Sequence, residues 1–214
     1  MTGPFDSTQH VVYPGGIDAA CAARAAELAG THDATFAACD ECDECTADTL
    51  LFARLVAARD VRGELALLGL TPSQWHALAA RHFAHVAPAA MPVLPASAVL
   101  PSAHAAFVDA MIPLLLDHVP RGVDSGDAAC VATIVAHACL RPDHLWRDLG
   151  LTGRDDVTRM LTRYFPALVA RNVDNLRWKK FLARELAYST GAEPGPAPGC
   201  PGCEDFGYCF PAGR

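Results

Sequence analysis

Apolar residues recur along most of the chain at spacings of three and four, and the alternating apolar–polar runs that make strands are nearly absent. The pattern predicts a helix from about Asp48 to Arg62, with Leu51, Leu55 and Ala58 on one face. Thr71-Pro72 starts the next, because threonine caps an N-terminus well and proline suits the first helical position. That helix turns Trp75, Leu78, Ala79, His82 and Phe83 inward. The proline-spaced stretch from Pro88 to Pro101 cannot be helical throughout. Helical spacing resumes near Ser102 and runs through Phe107, Val108, Met111, Leu114 and Leu115. After a polar break from Arg121 to Asp127, Ala128 to Leu140 reads as a buried helix. The last helix spans Val173 to Tyr188. Trp178, Phe181, Leu182 and Leu186 form its apolar stripe, and Arg177, Lys180 and Arg184 share another face.

Leu68-Gly69-Leu70-Thr71, followed by a helix ending Arg81-His82-Phe83, recurs as Leu149-Gly150-Leu151-Thr152 with an end at Arg163-Tyr164-Phe165. A helix pair joined by a tight glycine turn, used twice, accounts for both copies. The expected fold is all-α: a helical bundle with two related helix-pair units and an irregular cysteine-rich C-terminal tail. Residues 1–47 are assigned as an N-terminal arm with a cysteine cluster, 48–188 as the helical domain and 189–214 as a metal-binding tail.

With 51% hydrophobic and 19% charged residues, a largely disordered chain is excluded. The net charge of -7, without a basic block, argues against nucleic acid as a partner. The most apolar stretch, Met91 to Leu116, is broken by prolines, His104 and Asp109, short of the roughly 18 apolar residues of a membrane helix. No signal-peptide pattern opens the sequence, so a cytoplasmic protein without a membrane partner is expected. Gly-rich phosphate loops, a nucleophile elbow and a Ser/His/Asp set are absent, so no enzymatic activity is expected.

The nine cysteines add the chemistry. In a reducing compartment they read as metal ligands or redox groups before disulfides. Cys21, Cys130 and Cys139 sit in alanine-rich surroundings and read as small buried apolar residues. The tail carries Cys200-Pro-Gly-Cys203 and then Cys209, in a proline-rich stretch expected to be neither helix nor core and to need a metal to order it. Two cysteines separated by two residues can direct both thiolates at one centre, and a third can close over it. Structural zinc takes four ligands, which leaves three cysteines one short; an iron–sulfur cubane can hold three irons on three thiolates with its fourth corner open or filled by another metal. The spacing alone does not choose between them.

Cys39-Asp-Glu-Cys42-Asp-Glu-Cys45 resembles the start of a ferredoxin run, but Thr49-Leu50 stand where its Cys-Pro would be. Four interleaved carboxylates disfavour an anionic cluster there. It reads as a donor to the tail site, a separate metal site, or an acidic helix start with incidental cysteines. His82, His104, His118 and His137 read as core or rim residues, and His144, after Pro142-Asp143, as a capping or structural histidine.

The segment Cys139 to Leu151, then Arg163-Tyr-Phe-Pro-Ala-Leu, Arg171-Asn172, Arg177-Trp-Lys-Lys-Phe181 and the cysteine-rich tail resemble the NifQ family. The resemblance implies an iron–sulfur protein of nitrogen fixation, with a Mo-Fe-S or 4Fe-4S cluster. It would accept molybdenum from molybdate or another source and act as a metallochaperone in FeMo-cofactor biosynthesis. The nitrogenase cofactor scaffold and the iron protein are its implied partners. The family's tail pattern carries one more cysteine, at the position of Gly195 here. Cys39, Cys42 or Cys45 is a candidate for the missing thiolate. Arg177, Lys180 and Arg184 are candidates for a cationic face that guides molybdate or holds the cluster, or else form a solvated helix face. The alternatives are a structural zinc-binding helical protein, or a family member that has lost cluster binding.

Overall fold

A computed structural model describes residues 16–31, 44–96 and 99–211. Cys39 and Cys42 lie outside the described residues, and Cys45 falls in the first turn of a helix with its side chain outside them. The described residues are helical, with no strand, and the bundle expected from the spacing is present. Among them no helix is long and apolar enough to cross a membrane.

The elements are α1 (Gly16–Ala29), α2 (Glu44–Asp60), α3 (Pro72–His82), α4 (Ser102–Leu116), α5 (Ser125–Ala138), α6 (Leu145–Asp148), α7 (Arg154–Tyr164), α8 (Pro166–Val169), α9 (Trp178–Thr190) and α10 (Phe206–Cys209). The segment assigned to an N-terminal arm contributes α1, which packs along α2 and places Ala25 and Leu28 in the core. α5 is the central element: from Asp127 to Ala138 all but His137 and Ala129 are buried, and its alanines let α3 and α4 approach closely. Its N-terminus starts before the expected Ala128, because Asp124 caps it by accepting the Asp127 N–H at 2.9 Å.

Both repeat units are present. Gly69 and Gly150 take φ of 71° and 67°, the left-handed region in which glycine carries no Cβ penalty. Thr71 closes a capping box with Gln74 at the start of α3. In the second copy Gly153 is interposed before α7, and the Asp156 carboxylate accepts the Thr152 N–H at 2.9 Å and its hydroxyl. α3 ends on His82 and α7 on Tyr164, and both rings pack on Phe52, with centroids at 4.7 and 6.4 Å.

α9 starts at Trp178, five residues later than the sequence pattern suggests. The Asn172 side chain accepts the Leu176 N–H at 2.8 Å and donates to the Leu176 carbonyl at 3.0 Å, and Asn175 between them takes φ 51°. This local Asx loop competes with the helix and wins. Arg177 therefore sits in extended backbone at the N-cap of α9 rather than on a helix face. The tail also differs from expectation, since it holds a 3-10 turn over Cys200–Gly202, the single turn α10, and two core residues, Ala197 and Cys200.

Candidate metal centre

The tail is bound where the turn after α5 meets the start of α9. Gly199 donates its N–H to the Cys139 carbonyl at 3.0 Å. A Cβ on Gly199 would lie 1.9 Å from the Arg141 oxygen, and one on Gly202 would lie 2.4 Å from the Pro142 Cβ, so both glycines are needed for the close approach. Beneath them, buried Lys179 donates to the Arg141 carbonyl at 2.8 Å and to the Asp148 carboxylate, which also takes Arg141 Nε at 3.2 Å. A buried ammonium is tolerable because the carboxylate and carbonyl replace its water. On the outer side Arg177 pairs with Asp205 at 3.0 Å, and Lys180 donates to the Cys209 carbonyl and lies over the Phe210 ring. These direct contacts order the tail in addition to anything a metal would do.

Together these pieces wall a cleft open to solvent. Cys200, Cys203 and Cys209 all line it, with His144, Arg177, Trp178, Lys180 and Asp205 among the other walls. Burial pushes the Cys200 thiol up, opposed by the Ala197 backbone and the Lys179 ammonium. Burial also raises Cys209, against the pull of Lys180 and Arg177. Trp178 is only 6% exposed, and among the described residues its indole N–H has no acceptor. A buried donor without a partner costs about 1–3 kcal/mol.

The donor set fits a thiolate-held metal group. Among the described residues no three His, Cys, Asp or Glu side chains converge on one ion-sized point. Thiolates on one tetrahedral zinc ion would be about 3.8 Å apart.

Of the residues singled out from the sequence, Cys200, Cys203 and Cys209 come together, and Arg177 and Lys180 join them. Arg184 does not line the cleft: it pairs with Asp174 at 3.1 Å and lies over the Phe181 ring, one turn further along α9. Cys39 and Cys42 lie outside the described residues, as does the Cys45 side chain. Cys130 and Cys139 are buried, and burial pushes their thiols up to about 11 and about 12. Sequence reasoning gave His144 and Trp178 structural roles and did not single out Lys179, yet all three line the cleft. Charge complementarity between Arg177-Trp178-Lys179-Lys180 and Glu204-Asp205 was the one available signal that the two segments meet.

A family model described as NifQ matches residues 49–211. The chain is 44% identical over 103 residues to a protein NifQ homolog of Sinorhizobium fredii, covering 47% of this chain and 43% of the relative. It is 44% identical over 99 residues to protein NifQ of Azotobacter vinelandii, covering 46% and 50% respectively. With protein NifQ of Rhodobacter capsulatus the identity is 35% over 89 residues, covering 42% and 49%. The chain thus spans about half the length of the curated relatives it matches. No solved structure matches it.

Proposed function

Because the chain belongs to the NifQ family of nitrogen-fixation proteins, we propose that it holds an iron–sulfur cluster on Cys200, Cys203 and Cys209 and takes up molybdenum as cargo for nitrogenase cofactor assembly. The observation that carries this reading is one cleft lined by all three tail cysteines. When bound, the cluster supplies bridging sulfides, soft ligands suited to molybdenum.

The chain's own residues do the rest. Cys200, Cys203 and Cys209 must lose their protons to bind, and burial of Cys200 and Cys209 works against that loss, so loading releases protons and strengthens as pH rises. Lys179 behind Cys200 and Lys180 beside Cys209 supply the positive charge that favours thiolates. Arg177 and Lys180 at the wall attract an oxyanion such as molybdate. The role is delivery rather than catalysis, with the cofactor scaffold as the receiving partner and the iron protein assisting in the cytoplasm.

Metal analysis of protein purified without oxygen from molybdate-supplied cells tests the reading. Iron and acid-labile sulfide in near-equal amounts, with molybdenum present and iron lost in Cys203→Ser, is the expected result. Zinc alone, at about one per chain, would replace this reading by a structural zinc site.

A further inference from the structure

Three thiolates leave one corner of a four-cornered metal group without a protein donor, and the cleft wall offers few candidates. Besides the cysteines, the metal-ligating side chains that line it are Asp143, His144 and Asp205. Asp143 Oδ1 accepts the His144 backbone N–H at 2.7 Å and faces Arg147 at 3.2 Å. Asp205 is committed to Arg177 at 3.0 Å. His144 differs. Its Nε2 stands 3.3 Å from Glu204 Oε1 and 3.5 Å from Asp205 Oδ2, longer than a good N–H···O bond.

The imidazole is also held in place. Its ring lies nearly parallel to Trp146, at 14° with centroids 6.3 Å apart, and is 16% exposed. His144 occupies the N-cap position of α6 but makes no side-chain cap bond, so the ring has no part in starting that helix. Its two carboxylate neighbours, Glu204 and Asp205, lie in the tail between Cys203 and Cys209. A ring nitrogen facing the loop that carries the thiols, on the wall of the cleft they share, is placed to contact what those thiols hold.

We propose that His144, through Nε2, is the fourth protein donor of the site built by Cys200, Cys203 and Cys209. This rests on the cluster-binding reading above. An imidazole nitrogen at one corner makes that corner unlike the other three. It binds less tightly than a thiolate, and Glu204 and Asp205 are at hand to receive the ring when the metal leaves. His144 is thus the releasable ligand and the corner it holds is that of the cargo metal.

The full chain, loaded without oxygen with ferrous iron, sulfide and molybdate and then desalted, tests this. His144→Ala is expected to keep most of its iron but to retain about tenfold less molybdenum. It should also lose the histidine nitrogen coupling seen by pulsed EPR in protein labelled with 15N-histidine. Added imidazole should restore molybdenum retention, which repair of a merely structural defect would not do. His144→Asn, with its thermal midpoint, controls for folding. If His144→Ala keeps wild-type molybdenum and coupling while Cys203→Ser loses iron, His144 is not a ligand and the cluster reading stands. If Cys203→Ser keeps full iron, the cluster reading itself fails and this inference goes with it.

Discussion

Asp127 is a buried carboxylate whose ionisation burial alone disfavours. Burial pushes its pKa up, but His82 Nε2 at 3.0 Å and Arg81 Nη2 at 2.6 Å outweigh that and hold it below the usual carboxylate range. Because its folded pKa is depressed, it contributes stability that is present above the ordinary carboxylate pKa and is lost as pH falls through the folded value. Asp127→Asn is expected to cost about 2 kcal/mol in urea unfolding at neutral pH. The gap from wild type should close below about pH 4, and a gap unchanged down to pH 3 would refute the assignment. Gly199 is the second residue with a sharp consequence, since the atom its Cβ would strike is backbone oxygen and cannot swing aside. Gly199→Ala should lift the tail from the Arg141 turn and expose Cys200, now 7% exposed. Labelling of Cys200 by an aromatic disulfide reagent should accelerate by about tenfold or more, and an unchanged rate would show that the tail is held elsewhere.

At the scale of elements, helix periodicity made most of the bundle legible. α3 and α4 start where Thr71-Pro72 and Ser102 predict, because capping and proline rules act through near neighbours. α9 escaped, since the loop closed by Asn172 onto Leu176 spends residues with helical spacing on a turn. The two glycine turns were visible as a repeat, but what each turn meets is tertiary. A Cβ on Gly150 would stand 2.1 Å from the Cβ of Ala58 on buried α2, whereas one on Gly69 would meet the His137 ring at 2.2 Å. A ring can rotate and a Cβ cannot, so Gly150→Ala should destabilise more than Gly69→Ala. The expected cost is about 3 kcal/mol, including the left-handed φ. Ala58→Gly combined with Gly150→Ala should recover part of it in a double-mutant cycle, and strict additivity would mean the two atoms do not collide.

For the molecule as a whole, the three tail cysteines were legible from spacing while the partners they meet were not. His144, Trp178 and Lys179 reach the cysteines only because the turn after α5 and the start of α9 fold onto residues 199–209, a proximity no linear pattern encodes. The helix-face reading of Arg177, Lys180 and Arg184 lacked that same information, and Arg184 turns away to Asp174. Charge then acts at the largest scale. The chain carries a net -7 and repels a molybdate dianion at long range, so the uptake proposed above would depend on local positive charge at the cleft. Arg177 already shares Asp205, whereas Lys180 leans on a neutral carbonyl and an aromatic ring, leaving more of its field directed outward. Lys180→Gln should therefore slow molybdenum loading of the iron-loaded protein more than Arg177→Gln does, by about threefold at low salt. The difference should fade above roughly 0.3 M salt as the Debye length falls to a few ångströms. Wild-type loading rates in both variants at every ionic strength would leave the two cations as a solvated rim.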